Sequence, residues 1–300
     1  MATILVGADD GLRTFSPHGP PGAVQHPGRA VGALGPEGTD LWTILDGTEV
    51  WRTSDAEGRW NHVGTLDDLR ANCIGATRAG VVVGTSEARL YRVGGAGLER
   101  VPSFDEVDGR ADWYTPWGGP PDARSISEDG DTVYVNVHVG GIVRTKDEGA
   151  SWESTIDIDA DVHWVWAIDG FVFAACARGL AVSRDRGGSW ILRAGGLHAT
   201  YCRGVAVCGD TVLLSASNGP RGGRSGVYRG RLDGGGFERC TEGLPEWFEH
   251  NVDSSCLDAV PDLAAFGTED GRVFGSSDQG GTWVEVASGL PPVRCLLVMP

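Results

Sequence analysis

The sequence predicts an all-β protein: a seven-bladed β-propeller of four-stranded antiparallel blades, closed by pairing of the C-terminal strand with the N-terminal blade, and filling residues 1–300 as one domain. Three observations carry this expectation. An eight-residue pattern recurs along the chain, seven apolar segments recur at blade-like spacing, and 47 glycines and 11 tryptophans stand against only two methionines. Many tight turns between short strands with large aromatic anchors give that balance.

The pattern Ser/Thr-x-Asp-x-Gly-x-Ser/Thr-Trp is intact three times, at Thr145–Trp152, Ser183–Trp190 and Ser276–Trp283. A decayed copy, Thr53–Trp60, keeps the Thr, Asp55 and the Trp. The starts are separated by 92, 38 and 93 residues, so a unit of about 38–46 residues leaves one further unit in each large gap. Both are visible. Val81–Thr85 with Arg89–Val93, and Val212–Ala216 with Gly226–Gly230, repeat the apolar strand pair without the box. In each box the Asp (Asp147, Asp185, Asp278) caps backbone N–H groups and the glycine adopts positive φ, which makes a tight hairpin turn. The closing tryptophans Trp152, Trp190 and Trp283 pack between neighbouring sheets.

Innermost strands are expected near Ala30–Leu34, Asn72–Ala76, Arg124–Ser127, His163–Ala167, Arg203–Val207, Cys256–Ala259 and Arg294–Val298. The last has no partners after it, while Ile4–Ala8 and Gly11–Phe15 have no inner strand before them. Arg294–Val298 therefore completes the blade begun by the N-terminus, removing exposed sheet edges.

Such boxes resemble those of the sialidase-like, or BNR-repeat, Asp-box propellers, and the resemblance covers nearly the whole chain. It identifies the protein as similar to a superfamily that includes sialidases, xyloglucan hydrolases, sortilin-type receptors and photosystem assembly factors, here as a cytoplasmic bacterial-type member. The resemblance implies that the boxes lie at the blade periphery, remote from any active site. It does not carry a sialidase site across: no arginine-rich motif stands near the N-terminus, and neither Tyr201 nor Tyr228 has a Glu partner by spacing.

The formal net charge of −16 repels phosphate backbones and anionic headgroups, so nucleic acid and membrane surfaces are not expected partners. No run approaches 18 apolar residues, and the first residues lack a signal-like basic and apolar pattern, so a cytoplasmic location is expected. Seven cysteines without a C-x-x-C pair fit reduced, buried thiols.

The short turns, such as Ile168-Asp-Gly, belong to one end of the propeller and the long connections to the other. The long ones are Ser103–Ala123 with Trp113, Tyr114 and Trp117, Gly195–Cys202, Thr241–Ser255 with Trp247 and Phe248, and the loop Ser217–Ser225. Long loops on a rigid scaffold are where binding and catalysis sit. Trp113, Trp117 and Trp247 are thus expected to contact a substrate, or else to plug the channel.

Four of the seven histidines, His138, His163, His198 and His250, fall at positions that this end gathers. Imidazoles with few thiolates nearby suit copper, iron or zinc, and Asp161, Glu249 or Asp253 is available as a carboxylate ligand. His18, His26 and His62 are excluded as primary ligands. Arg70, Arg124, Arg203 and Arg294 recur at the starts of inner strands and would recognise a carboxylate or phosphate, or pair with acids such as Asp122 and Asp253. The leading expectation is an enzyme that uses a histidine-held transition metal, with redox chemistry favoured, on a small, anionic molecule. The alternatives are a non-catalytic scaffold binding a protein or peptide, and a glycoside hydrolase.

Overall fold

A computed structural model describes residues 2–16, 22–55 and 58–300. His18 lies outside the described residues, as do two positions of the decayed box. The fold is a seven-bladed β-propeller of antiparallel sheets, and no α-helix occurs among the described residues. Six sheets have four strands each, in sequence order, and they begin at Val31, Ala71, Ala123, Val162, Tyr201 and Leu257. In each of these six, a two-residue turn joins the inner strand to the next strand. In the turn after Val162–Ile168, Asp169 and Gly170 take φ of 50° and 82°, the left-handed pair that matches strand twist.

The seventh sheet pairs Val293–Met299 with Thr3–Ala8 and then Gly11–Phe15. Ile4 faces Val298 and Val6 faces Leu296, so the C-terminal strand is the inner strand of the N-terminal blade. Beside its outer strand, among the described residues, Leu12 and Gln25 form an isolated bridge and the Gly22 N–H donates to the Thr14 carbonyl.

Contacts gather into two compact units: Met1–Val31, Ala175–Leu180 and Leu192–Pro300 in one, Gly32–Ala174 and Ala181–Ile191 in the other. In the first, a core of Ile4, Val6, Phe15, Leu263, Ala265, Leu296 and Val298 packs across the closing strand. Asp258 reaches across this seam, its Oδ2 accepting from the Val298 N–H at 2.7 Å. In the second, Phe104, Trp113, Val135, Val137 and Val143 form one core and Trp42, Ile44, Ile74 and Val83 another.

Inner strands of adjacent blades are not paired as sheets, and side chains take up part of their backbone hydrogen bonding. Ser125 and Ser127 accept from the N–H groups of Val165 and Ala167 at 3.0 and 2.9 Å, and Asp129 accepts from those of Asp169 and Gly170. Thiols do the converse. Cys73, Cys208, Cys256 and Cys295 donate to the carbonyls of Ala123, Val260, Val293 and Val31. All seven cysteines are buried and none forms a disulfide. Burial pushes Cys73 and Cys295 up to about 12 and Cys208 and Cys240 up to about 11, so these thiols are packing groups, not nucleophiles.

The three intact boxes are near-identical. Asp147 accepts from Thr145 Oγ1 (2.7 Å), the Ser151 N–H (2.9 Å) and Ser151 Oγ (2.6 Å). Asp185 does the same with Ser183 and Ser189, and Asp278 with Ser276 and Thr282. The residue after each Asp and the glycine that follows are both left-handed, with Glu148 at 58° and Gly149 at 86°. In the decayed copy, Thr53 Oγ1 donates to the backbone oxygen of Asp55 instead. Trp152 meets Phe104 edge-on at 5.0 Å, and the Trp190 indole N–H donates to the Thr155 carbonyl of the preceding blade.

Candidate functional site

His138 follows the strand Thr132–Val137, at a turn that Val139 enters with φ 48°. Its backbone N–H donates to the Asp122 carbonyl, which anchors the turn to the start of the blade's inner strand. The next blade opens with a one-turn 3-10 helix, Ile158–Ala160, capped at its start by Asp157 accepting from the Asp159 N–H. Asp161 ends that turn in the left-handed region at φ 50°, a conformation short polar side chains tolerate. His163 lies two residues on, in the strand Val162–Ile168, on the same strand face as Val165.

These elements bring three ligand-type groups together. His138 Nε2 is 3.1 Å and His163 Nε2 3.6 Å from Asp161 Oδ1. All three groups offer an atom within 4.8 Å of one another. His138 and His163 are buried, at 4% and 0% exposure, while the Asp161 side chain is 27% exposed. Burial raises the Asp161 carboxyl, but the His138 hydrogen bond and the charges of His163, His138 and Arg124 outweigh it and hold the group below its ordinary value. It is a carboxylate at neutral pH.

Donors bound at about 2.0–2.1 Å to one ion stand about 2.8–3.4 Å apart when cis or tetrahedral; the 3.1 Å from His138 to Asp161 falls in that range and the 3.6 Å from His163 lies just outside it. Nδ1 of His138 and both side-chain atoms of Asn136, two residues earlier, are buried without a hydrogen bond. Above the cluster, Trp117 stacks on His138 with ring centroids 5.1 Å apart, yet is 67% exposed. Tyr114, 45% exposed, donates its backbone N–H to the Val139 carbonyl and its hydroxyl to Asp159.

The remaining expected residues lie in other surroundings. His198 packs against Trp247 at 4.5 Å with its Nδ1 2.5 Å from the Tyr228 hydroxyl, and His250 faces Glu269 at 3.5 Å. The described metal-capable group therefore holds two of the four expected histidines, and its third donor is Asp161. A carboxylate takes that place because Asp161 immediately precedes the inner strand that carries His163. Trp113 is buried in a core cluster against Phe104 with Arg110 over its ring, and Trp247 lies beneath Arg239. Arg124 stands 3.9 Å from Asp122, Arg70 is exposed on its loop, and Arg203 and Arg294 share a cavity with His250.

Asn136 was not singled out by its sequence position. Its strand reads as a continuous apolar run broken once, and a polar residue inside such a run is the signal that points to it.

No protein-family profile matches the chain, and no curated protein does. Solved structures do. The chain is 15% identical to YCF48 bound to D1 peptide, with 85% of this chain and 81% of that one aligned at a TM-score of 0.58. YCF48 from Cyanidioschyzon merolae is 14% identical over 86% and 87%, at 0.60. An ancestral GH74 enzyme aligns with 96% of this chain at 15% identity and 0.65, although this chain spans only 40% of its length. Each shares the propeller fold with this protein.

Proposed function

We propose that the protein is a metalloprotein whose centre is His138, Asp161 and His163, and that it acts on a small molecule reaching that centre past Trp117 and Tyr114. The observation that carries this is the convergence of two buried imidazoles on one ionised carboxylate at ligand spacing. Two imidazoles and one carboxylate with coordination positions to spare suit iron(II), and also zinc or copper, better than magnesium or calcium. Bound there, such an ion supplies a Lewis-acidic or redox-active position for a substrate oxygen. The protein's own part is to hold the donors on the ends of two strands, to keep Asp161 ionised, and to cover His138 with the Trp117 ring. The three intact boxes support placing the chain with the Asp-box propellers, and its unbridged cysteines support a cytoplasmic location.

Metal content and calorimetric titration with iron(II) under anaerobic conditions, and with zinc, test this reading. One ion per chain is expected, with binding lost or weakened at least tenfold in His138→Ala, Asp161→Ala and His163→Ala, because each supplies about a third of the protein ligands. His198→Ala is expected to bind normally. A wild-type chain that takes up no stoichiometric ion, or equal loss in His198→Ala, overturns it.

A second reading, a protein- or peptide-binding scaffold, is favoured by the exposure of Trp117 and Tyr114 side by side on one connection. It draws on YCF48, the propeller that binds D1 peptide. The hydrolase reading has less support, since it asks for two carboxylates across a cleft and the cluster contains one.

A further inference from the structure

A cavity of about 280 Å³ opens between the ends of the last three blades. Its basic lining comes from Arg203, Arg221 and Arg294, joined by His250 and Asn251, and two carboxylates, Asp253 and Glu269, line it as well. The arginines are not neutralised alike. Arg294 gives Nε and Nη2 to Asp9 at 2.7 and 2.8 Å, a forked pair that fixes the guanidinium in place. Arg221 has no ion-pair partner among the described residues. Arg203 Nε is buried without a hydrogen bond, its nearest carboxylate being Asp253 at 3.5 Å. That carboxylate is itself engaged by the Ser254 N–H at 2.7 Å, and its side chain is more than half exposed.

The loop that carries Arg221 is held rigidly. Ser225 and Phe248 exchange backbone hydrogen bonds, the Gly223 N–H donates to the Glu249 carbonyl, and Asn251 Nδ2 donates to the carbonyls of Gly219 and Pro220. Gly222 takes φ +80°, and a Cβ there would stand 2.8 Å from the Glu249 carbonyl oxygen. A buried donor such as Arg203 Nε is costly to leave without an acceptor, and the lining of the same cavity adds the exposed Arg221 as a second cation.

The geometry points to a binding site for an oxyanion, a carboxylate or phosphate group of a small molecule, held by Arg203 and Arg221 with Arg294 at the edge. Guanidinium forks match the two oxygens of either group, and a pre-held loop spares the ordering cost. The site shares no residue with the His138 cluster. Glu269 and Asp253, which also line the cavity, are more than half exposed, so solvent screens their charge.

Thermal shift and calorimetric titration test it, with inorganic phosphate and with succinate, each against sodium chloride at matched ionic strength. Saturable binding of at least one of the two is expected. Binding of phosphate alone assigns the site to phosphoryl groups, and of succinate alone to carboxylates. Arg221→Gln, an exposed loop position that leaves the core untouched, is expected to weaken binding at least tenfold, and Arg203→Gln likewise. Arg231→Gln, whose side chain pairs with Asp233 at the surface, is expected to leave it unchanged. Stabilisation no greater than with chloride, undiminished binding in Arg221→Gln, or equal loss in Arg231→Gln overturns the assignment.

Discussion

At the scale of single residues, the box aspartates show how far a local pattern determines local structure. Each carboxylate gathers a hydroxyl, a backbone N–H and a second hydroxyl from within eight residues, so its geometry needs no distant part of the chain. Hydrogen bonds from Ser151 and Thr145 hold Asp147 down to about 2, and those from Ser183 and Ser189 hold Asp185 there too. A carboxyl whose folded-state pKa is depressed contributes stability that is present above its unfolded value near 4. That contribution is lost as pH falls toward 2. Asp147→Ala and Asp185→Ala are accordingly expected to lower Tm at pH 7 by about 2–4 °C, with the gap closing at pH 2–3. Melting curves at both pH values check this. Metal binding at His138 is expected to be unchanged, since the boxes lie at the far ends of their strands.

At the scale of elements, connections of similar length have unequal roles. The crossing that carries Trp113 and Trp117 sends one ring into the core and lays the other on His138, a division set by 3-10 turns at Pro102–Glu106 and Arg110–Asp112. No spacing rule in the sequence tells the two tryptophans apart, because a one-residue change in turn geometry exchanges inside for outside. The loop Ser217–Ser225 is legible as a loop, but not as a rigid one. Its stiffness comes from Phe248, Glu249 and Asn251, some 30 residues later. Gly222→Ala is expected to cost about 1–2 kcal/mol from its left-handed backbone alone. Because the added methyl also pushes the loop off Glu249, binding of phosphate or succinate is expected to fall with it. Denaturant unfolding combined with calorimetry reads both effects.

At the scale of the whole molecule, closure of the ring places one ionisable group where it matters. Asp258 on the last blade's inner strand accepts from the Val298 N–H across the seam, and burial pushes its carboxyl up to about 7 despite hydrogen bonds from Val298 and Ala259. Its proton is bound more tightly in the folded state. The resulting stability is full below the unfolded value near 4 and is lost as pH rises through 7. Box aspartates and Asp258 thus pull in opposite directions, and stability is expected to be greatest between about pH 4 and 6. Asp258→Asn, neutral at every pH, is expected to flatten the alkaline side of that profile. Urea unfolding at pH 5 and pH 8 measures it, and an unchanged slope in the variant rules out Asp258 as the source.

The sequence by itself determined the blade count, the strand order, the closure by the C-terminal strand and the capped turns. All of these follow from period-two apolar runs and from hydrogen bonds made within a few residues. It also marked His138 and His163, through their places at strand ends. Tertiary structure alone decided that Asp161 and not His198 or His250 completes that cluster, and that Arg221 joins Arg203 and Arg294 in one cavity. The reason is geometric: a repeat specifies which end of a blade a residue occupies, whereas side-chain convergence depends on backbone turns of a few tens of degrees. Left-handed Asp161 and Val139 supply those turns at the His138 cluster, and left-handed Gly222 supplies one at the cavity.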